Sequence, residues 1–189
     1  MTTTIKSTVC KHLEARIVHD DCPSNPREEY DCLGKISYAS RARTVLGDTP
    51  ATSEEDDAIE RGLRTGKLIG LPVWAYVHSG VRLAACETNP FHCQWDSGRS
   101  GYVYTTREEV LQEFGGKRMT AAIREKALKV LIAEVEVFSK YLDGDCYGFT
   151  IIDTTTDECV DSCWGFYGSD DAEESARSAL AQMEELETA

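Results

Sequence analysis

The run "GLPVWAYVHSGVRLAAC", residues 70–86, sets two apolar stretches rich in β-branched and aromatic residues on either side of Ser79-Gly80. Such residues favour a pleated, half-buried backbone and a Ser-Gly pair is turn chemistry, so the run predicts a β-hairpin. A hairpin is antiparallel by construction, which argues against a doubly wound parallel sheet. Outward from it, "GYVYT" (101–105) predicts a further strand, and "CYGFTIID" (146–153) and "ECVDSCWGFYG" (158–168), separated by "TTTD", predict a second hairpin. "LEARIVH" (13–19) alternates as a strand does and stops at "DDCPSNPREEYD" (20–31), where two prolines and an Asn force a loop. "LGKISYAS" (33–40) is then expected as its return strand.

Helical periodicity fills the remainder. Thr120 opens a long helix to about residue 142, with Ile123, Ala127, Val130, Leu131, Val135, Phe138 and Tyr141 on one stripe. Thr105 or Thr106 caps "REEVLQEF" (107–114), which Gly115-Gly116 stops. "TPATSEEDDAIERGLRTGK" (49–67) reads as a polar loop leading into a short helix with Ser53 as N-cap. Its charge on most faces makes 50–68 a candidate mobile segment. From Asp170 the chain is helical again, with Ala172, Ala176, Ala179, Leu180, Met183 and Leu186 on one side and acids opposite. The expectation is α+β, residues 1–189 as a single domain: an antiparallel sheet with hairpins, packed against a long central helix and an acidic C-terminal helix.

The net charge of −13 is unevenly placed, because from Asp143 onward 13 acids face a single base, Arg177. Sequence-independent contact with nucleic acid needs clustered Lys and Arg, so direct nucleic-acid binding is not expected. No apolar run reaches the length of a membrane span and the N-terminus lacks a signal-peptide core, so the expectation is a cytoplasmic protein with no membrane partner. The eight cysteines are then expected as reduced, mostly buried thiols, with Cys159 and Cys163 able to share one strand face.

Several candidate sites compete with duller readings. His78-Ser79-Gly80 and Asp96-Ser97-Gly98 place a hydroxyl beside a base or a carboxylate but lack the strained nucleophile elbow, and both are good turns. Cys93 adjoins His92, yet neighbours in a strand point to opposite faces. Oxygen ligands for a hard cation come from Asp20, Asp21 and Asp31, with Asp96 and His78 as further members, so Ca²⁺ or Mg²⁺ is the candidate cofactor. Asx turns explain the same loop without a metal. Asp96 is expected to accept backbone N–H bonds across Ser97 and Gly98. Partner-binding candidates are Glu54, Glu55, Asp56 and Asp57 in the central charged segment, together with Asp170, Asp171, Glu173 and Glu174. Glu184 and Glu185 extend the second group, and Trp95, in a Gly-rich loop, is the aromatic residue expected to be exposed or to plug a pocket.

Through "NPREEYDCLGKI", "VLGD", "LPVWAYVHSGV", "FHCQWDSGRSGYVY", "YLDGDCYGF" and "DSCWGFYG", the chain resembles a family of small bacteriophage and mobile-element proteins with no assigned reaction. Relatives tend to carry Asn-Leu-Gly and Asp-His-Ser-Gly where this chain has Cys32-Leu33-Gly34 and Val77-His78-Ser79-Gly80. By analogy, the resemblance implies a counter-defence protein, of the anti-CRISPR or anti-restriction kind, binding a host defence protein or nucleoprotein complex through its acidic surface. The alternatives are a small divalent-metal-dependent hydrolase built on Asp20, Asp21, Asp31, His78 and Asp96, or a phage accessory scaffold.

Overall fold

The computed structural model describes residues 3–7, 10, 12–40 and 42–188. The elements are, in chain order, β1 (Thr3–Lys6), β2 (Leu13–His19), α1 (Pro26–Glu29), β3 (Lys35–Ala39), β4 (Thr49–Ala51), α2 (Ser53–Thr65) and β5 (Leu68–Val77). There follow β6 (Val81–Ala85), β7 (Ser97–Thr106), α3 (Arg107–Phe114), α4 (Ala121–Asp143), β8 (Cys146–Asp153), β9 (Glu158–Tyr167) and α5 (Ser169–Thr188). The class is α+β, but the strands form two sheets, ordered β1-β2-β8-β9 and β4-β3-β7-β5-β6. Contacts divide the chain likewise into a first unit, Met1–Ser24 with Gly144–Ala189, and a second, Asn25–Asp143.

In the first unit the sheet is antiparallel throughout, with Leu13 opposite Asp153 and His19 opposite Tyr147. Ala15, Ile17, Phe149 and Ile151 form one face and close on Ala172, Ala176 and Leu180 of α5. The alanines let helix and sheet approach closely, while Asp170, Asp171, Glu174 and Glu185 of α5 are exposed. Leu186, expected on the apolar side, is instead exposed: the packed stripe ends at Met183.

β9 is a ten-residue edge strand, and edge strands need protection from stray pairing. Two register shifts against β8 break its regularity, and Asp161 Oδ1 accepts the Ser162 N–H at 2.8 Å. One shift also corrects the cysteine reading: Cys159 pairs with Ile152 and Cys163 with Phe149, three positions apart on β8, so the two thiols lie on opposite faces. Nor are the cysteines mostly buried; all eight are free thiols, and only Cys10 and Cys146 are buried.

In the second unit α4 covers the sheet. Leu131, Val135 and Phe138 pack against Ile36, Val73, Leu83 and Val103, while Ala127 joins Ile69 and Val110 beneath α3. The hairpin at 70–86 forms as expected, with Val77 opposite Val81. β3 does not return to β2. It lies antiparallel to β7 and parallel to β4, because β2 is already paired on both sides by β1 and β8.

Where β3 and β7 continue beyond their paired residues, the buried Ser37 hydroxyl stands in for the ladder: Tyr102 N–H donates to it at 3.1 Å and it donates to Tyr102 C=O at 3.3 Å. Ser37→Ala leaves that amide and carbonyl without the hydroxyl. Since a stranded buried polar group costs about 1–3 kcal/mol, urea unfolding should show a loss in that range, and a change below about 0.5 kcal/mol would mean that the strands re-pair directly.

Helix starts follow side-chain capping. Thr52, not Ser53, caps α2 in a reciprocal box with Glu55, and Gly66 closes it at φ 72°, a left-handed conformation that glycine adopts without strain. The segment around 50–68 is thus β4 followed by a 13-residue helix anchored by buried Ile59. Thr106 caps α3 in the same way with Glu109, whose carboxylate is held below its ordinary range first by the Thr106 amide and then by the Thr106 hydroxyl.

Candidate functional site

Charge separates the two units almost as sharply as it separates the acidic end of the sequence from the rest. The first unit carries 15 acidic side chains against four basic ones, and the second 18 against 16. On α5, Asp170, Asp171, Glu174 and Glu185 are exposed, as are Glu158 and Asp161 on β9. Glu173 pairs with Arg177 at 2.8 Å and Glu184 accepts from the Ser7 hydroxyl, so these two carboxylates also serve the fold. The exposed acids give this unit a negative surface.

The acids of α2 divide by role. Glu55 is committed to the Thr52 cap, and Asp56 holds Arg99 at 2.8 Å; Glu54 and Asp57 face solvent. Arg99 lies over the Tyr102 ring, 4.8 Å from its centroid, and contacts the Tyr102 hydroxyl, which in turn donates to Glu60 Oε2 at 3.1 Å. Burial above all, partly offset by Arg99, pushes the Tyr102 phenol up to about 12. This arrangement fixes α2 on β7 and keeps the phenol protonated.

The metal candidates fall in both units. Asp20 and Asp21 lie in the first unit and Asp31, His78 and Asp96 in the second. Asp20 accepts the Cys22 amide in an Asx turn, and Asp21 faces His19 Nδ1 at 3.2 Å while His19 Nε2 contacts the Gly144 carbonyl at 2.6 Å. Those two acceptors, Gly144 first and Asp21 second, raise the imidazole above its ordinary pKa, because only imidazolium donates from both nitrogens. His78 stacks on Tyr76 at 6.5 Å, and Asp31 lines a hollow of about 340 Å³ beside Cys32 and Phe114. Among the described residues, no three His, Cys, Asp or Glu side chains are grouped to hold a metal ion.

Around Cys93 the geometry differs from a nucleophile–base pair. Its thiol faces Asp96 Oδ2 at 3.2 Å, and the Ser97 hydroxyl donates to the Cys93 carbonyl. Asp96 therefore does not span the Ser97 and Gly98 amides as expected; those residues already belong to β7, and the Asx turn is made by Asn89, which accepts the Phe91 amide at 2.9 Å. Trp95 is 92% exposed.

One polar cluster escapes residue-by-residue reading. Arg27, its side chain 6% exposed, forks onto Asp48 (Nε to Oδ1 2.9 Å, Nη2 to Oδ2 2.7 Å), reaches Glu134 at 3.2 Å and donates to the Gly34 carbonyl at 2.5 Å. Glu134 accepts the Leu33 and Gly34 amides at 2.6 and 3.0 Å, and Asp48 accepts the Ile36 amide at 2.8 Å. The strings "NPREEYDCLGKI" and "VLGD" meet here as a lock between the loop before β3 and α4. Neither string by itself signals the pairing, because Arg27 lies 21 positions from Asp48 and 107 from Glu134. Comparison of the chain with known protein families, with curated proteins and with solved structures finds no match.

Proposed function

We propose that the protein acts as a stoichiometric binding inhibitor, docking its acidic first unit on a basic, nucleic-acid-binding surface of a host defence nucleoprotein complex such as a CRISPR effector. The observation that carries this reading is the concentration of 15 acids against four bases in that unit, with Asp170 and Glu174 exposed on α5 and Glu158 and Asp161 exposed on β9. A single-sign surface attracts an oppositely charged partner over several ångströms of solvent and repels nucleic acid that competes for the same groove. The resemblance to small mobile-element proteins supports the choice of a defence complex as target.

The test is capture of effector complexes from a host lysate by the tagged chain, followed by a cleavage assay on any effector recovered. Asp170→Lys, Glu174→Lys and Glu158→Lys together take the net charge from −13 to −7. The triple variant should associate about 10–100-fold more slowly at low salt and with a shallower salt dependence, as expected where steering dominates. Inhibition that is unchanged in the triple variant would refute the acidic docking surface.

A further inference from the structure

Trp95 stands beside a hollow of about 370 Å³ on the second unit, floored by Ala39, Ala42, Leu46 and Ala75 and edged by half-exposed Val77. Val45, next to Leu46 in the chain, is exposed as well. Exposed apolar residues scattered singly need no explanation, but a tryptophan adjoining an apolar hollow is a contiguous patch, the kind of surface that proteins cover.

We infer that this face docks a second copy of the chain, the Trp95 of each copy entering the hollow of the other. Three observations select a second copy as occupant. A two-fold interface is isologous, so one patch must supply both knob and socket, and here they are adjacent. The rim carries both signs, with Asp96 and with Arg99 held in place by Asp56, so the same surface can oppose its own charges. The second unit is nearly neutral, at 18 acids against 16 bases, and therefore admits a like surface without strong local repulsion. The inference is independent of the proposed inhibition, which rests on the other unit.

Whole-molecule charge then gives a diagnostic. Two copies at −13 repel at long range, so the dimer must strengthen as salt screens them, opposite to the acidic-surface interaction. Sedimentation velocity of the full chain over about 1–500 µM, in ~0.05 and ~0.5 M NaCl, should show a monomer–dimer equilibrium that tightens with salt. Trp95→Ala, at an exposed position that the fold does not need, should weaken it by about thirtyfold or more, the loss typical of an interface anchor, and Trp95→Lys should leave only monomer. A monomer at every concentration, or a dimer indifferent to Trp95→Ala, overturns the proposal. A monomeric wild type whose capture of a foreign protein is abolished by Trp95→Ala overturns it in favour of that protein as occupant.

Discussion

Arg27→Ala should lower the unfolding free energy by about 3–5 kcal/mol, the range for removing one member of a buried ion pair, against a total of about 5–15 kcal/mol for an ordinary domain. The loss is this large because two carboxylates stay behind. Glu134 is mostly buried, Asp48 is three-quarters covered, and both remain fastened to backbone amides of residues 33, 34 and 36, so neither can turn to water without releasing the strand start. The Gly34 carbonyl loses its donor in the same step. Arg27→Lys should recover less than half of the deficit, since an ammonium keeps the charge but cannot fork onto Asp48 while reaching Glu134. Guanidinium unfolding of the three proteins, compared at equal m-value, measures this. A loss below about 1 kcal/mol for Arg27→Ala would show the cluster to be solvated and the lock dispensable.

Gly101→Ala is expected to cost about 3 kcal/mol, at the upper end of overpacking effects, because the clash is with backbone and not with a movable side chain. A Cβ at position 101 would press into the Ser37 carbonyl oxygen and sit 2.7 Å from its carbon and 3.0 Å from Tyr38 Cα. Relief would need β3 to move off β7, which strips the Ser37 hydroxyl from Tyr102 as well. Gly98, in the same "SGRSGYVY" run, is the control: nothing lies within 4 Å of a Cβ placed there, and Gly98→Ala should change stability by less than about 0.5 kcal/mol. Thermal melting of the pair separates the two positions. Equal midpoints would mean that β3 and β7 are not held at the separation described.

Much of the local structure was legible because its causes lie within a few residues of one another. The stripe from Ala127 to Phe138 buries where helical spacing places it, Thr106 and Glu109 cap α3 reciprocally, and Ser79-Gly80 turns the hairpin whose pairing runs from Val73–Ala85 to Val77–Val81. Misreadings at this level were one residue wide, as with Thr52 for Ser53. The candidate site was less legible. That acids crowd the last third of the chain is a matter of counting, but Glu55, Asp56, Glu173 and Glu184 are engaged within the fold, and no count distinguishes them from Glu54 or Asp170.

What the tertiary structure decided was pairing. Alternation along "LGKISYAS" tells which side chains share a face but not which strand lies alongside, since any apolar strand of opposite direction satisfies a period of two. Hence β3 could be assigned to β2 when its neighbour is β7, and one sheet could be expected where two exist. A single inserted residue at Val160 likewise puts Cys159 and Cys163 on opposite faces, and a buried guanidinium joins residues 27, 34, 48 and 134 across more than a hundred positions. Capping and periodicity are short-range effects that a linear reading contains; strand order, bulges and buried ion clusters depend on contacts between distant segments, and those exist only once the chain has folded.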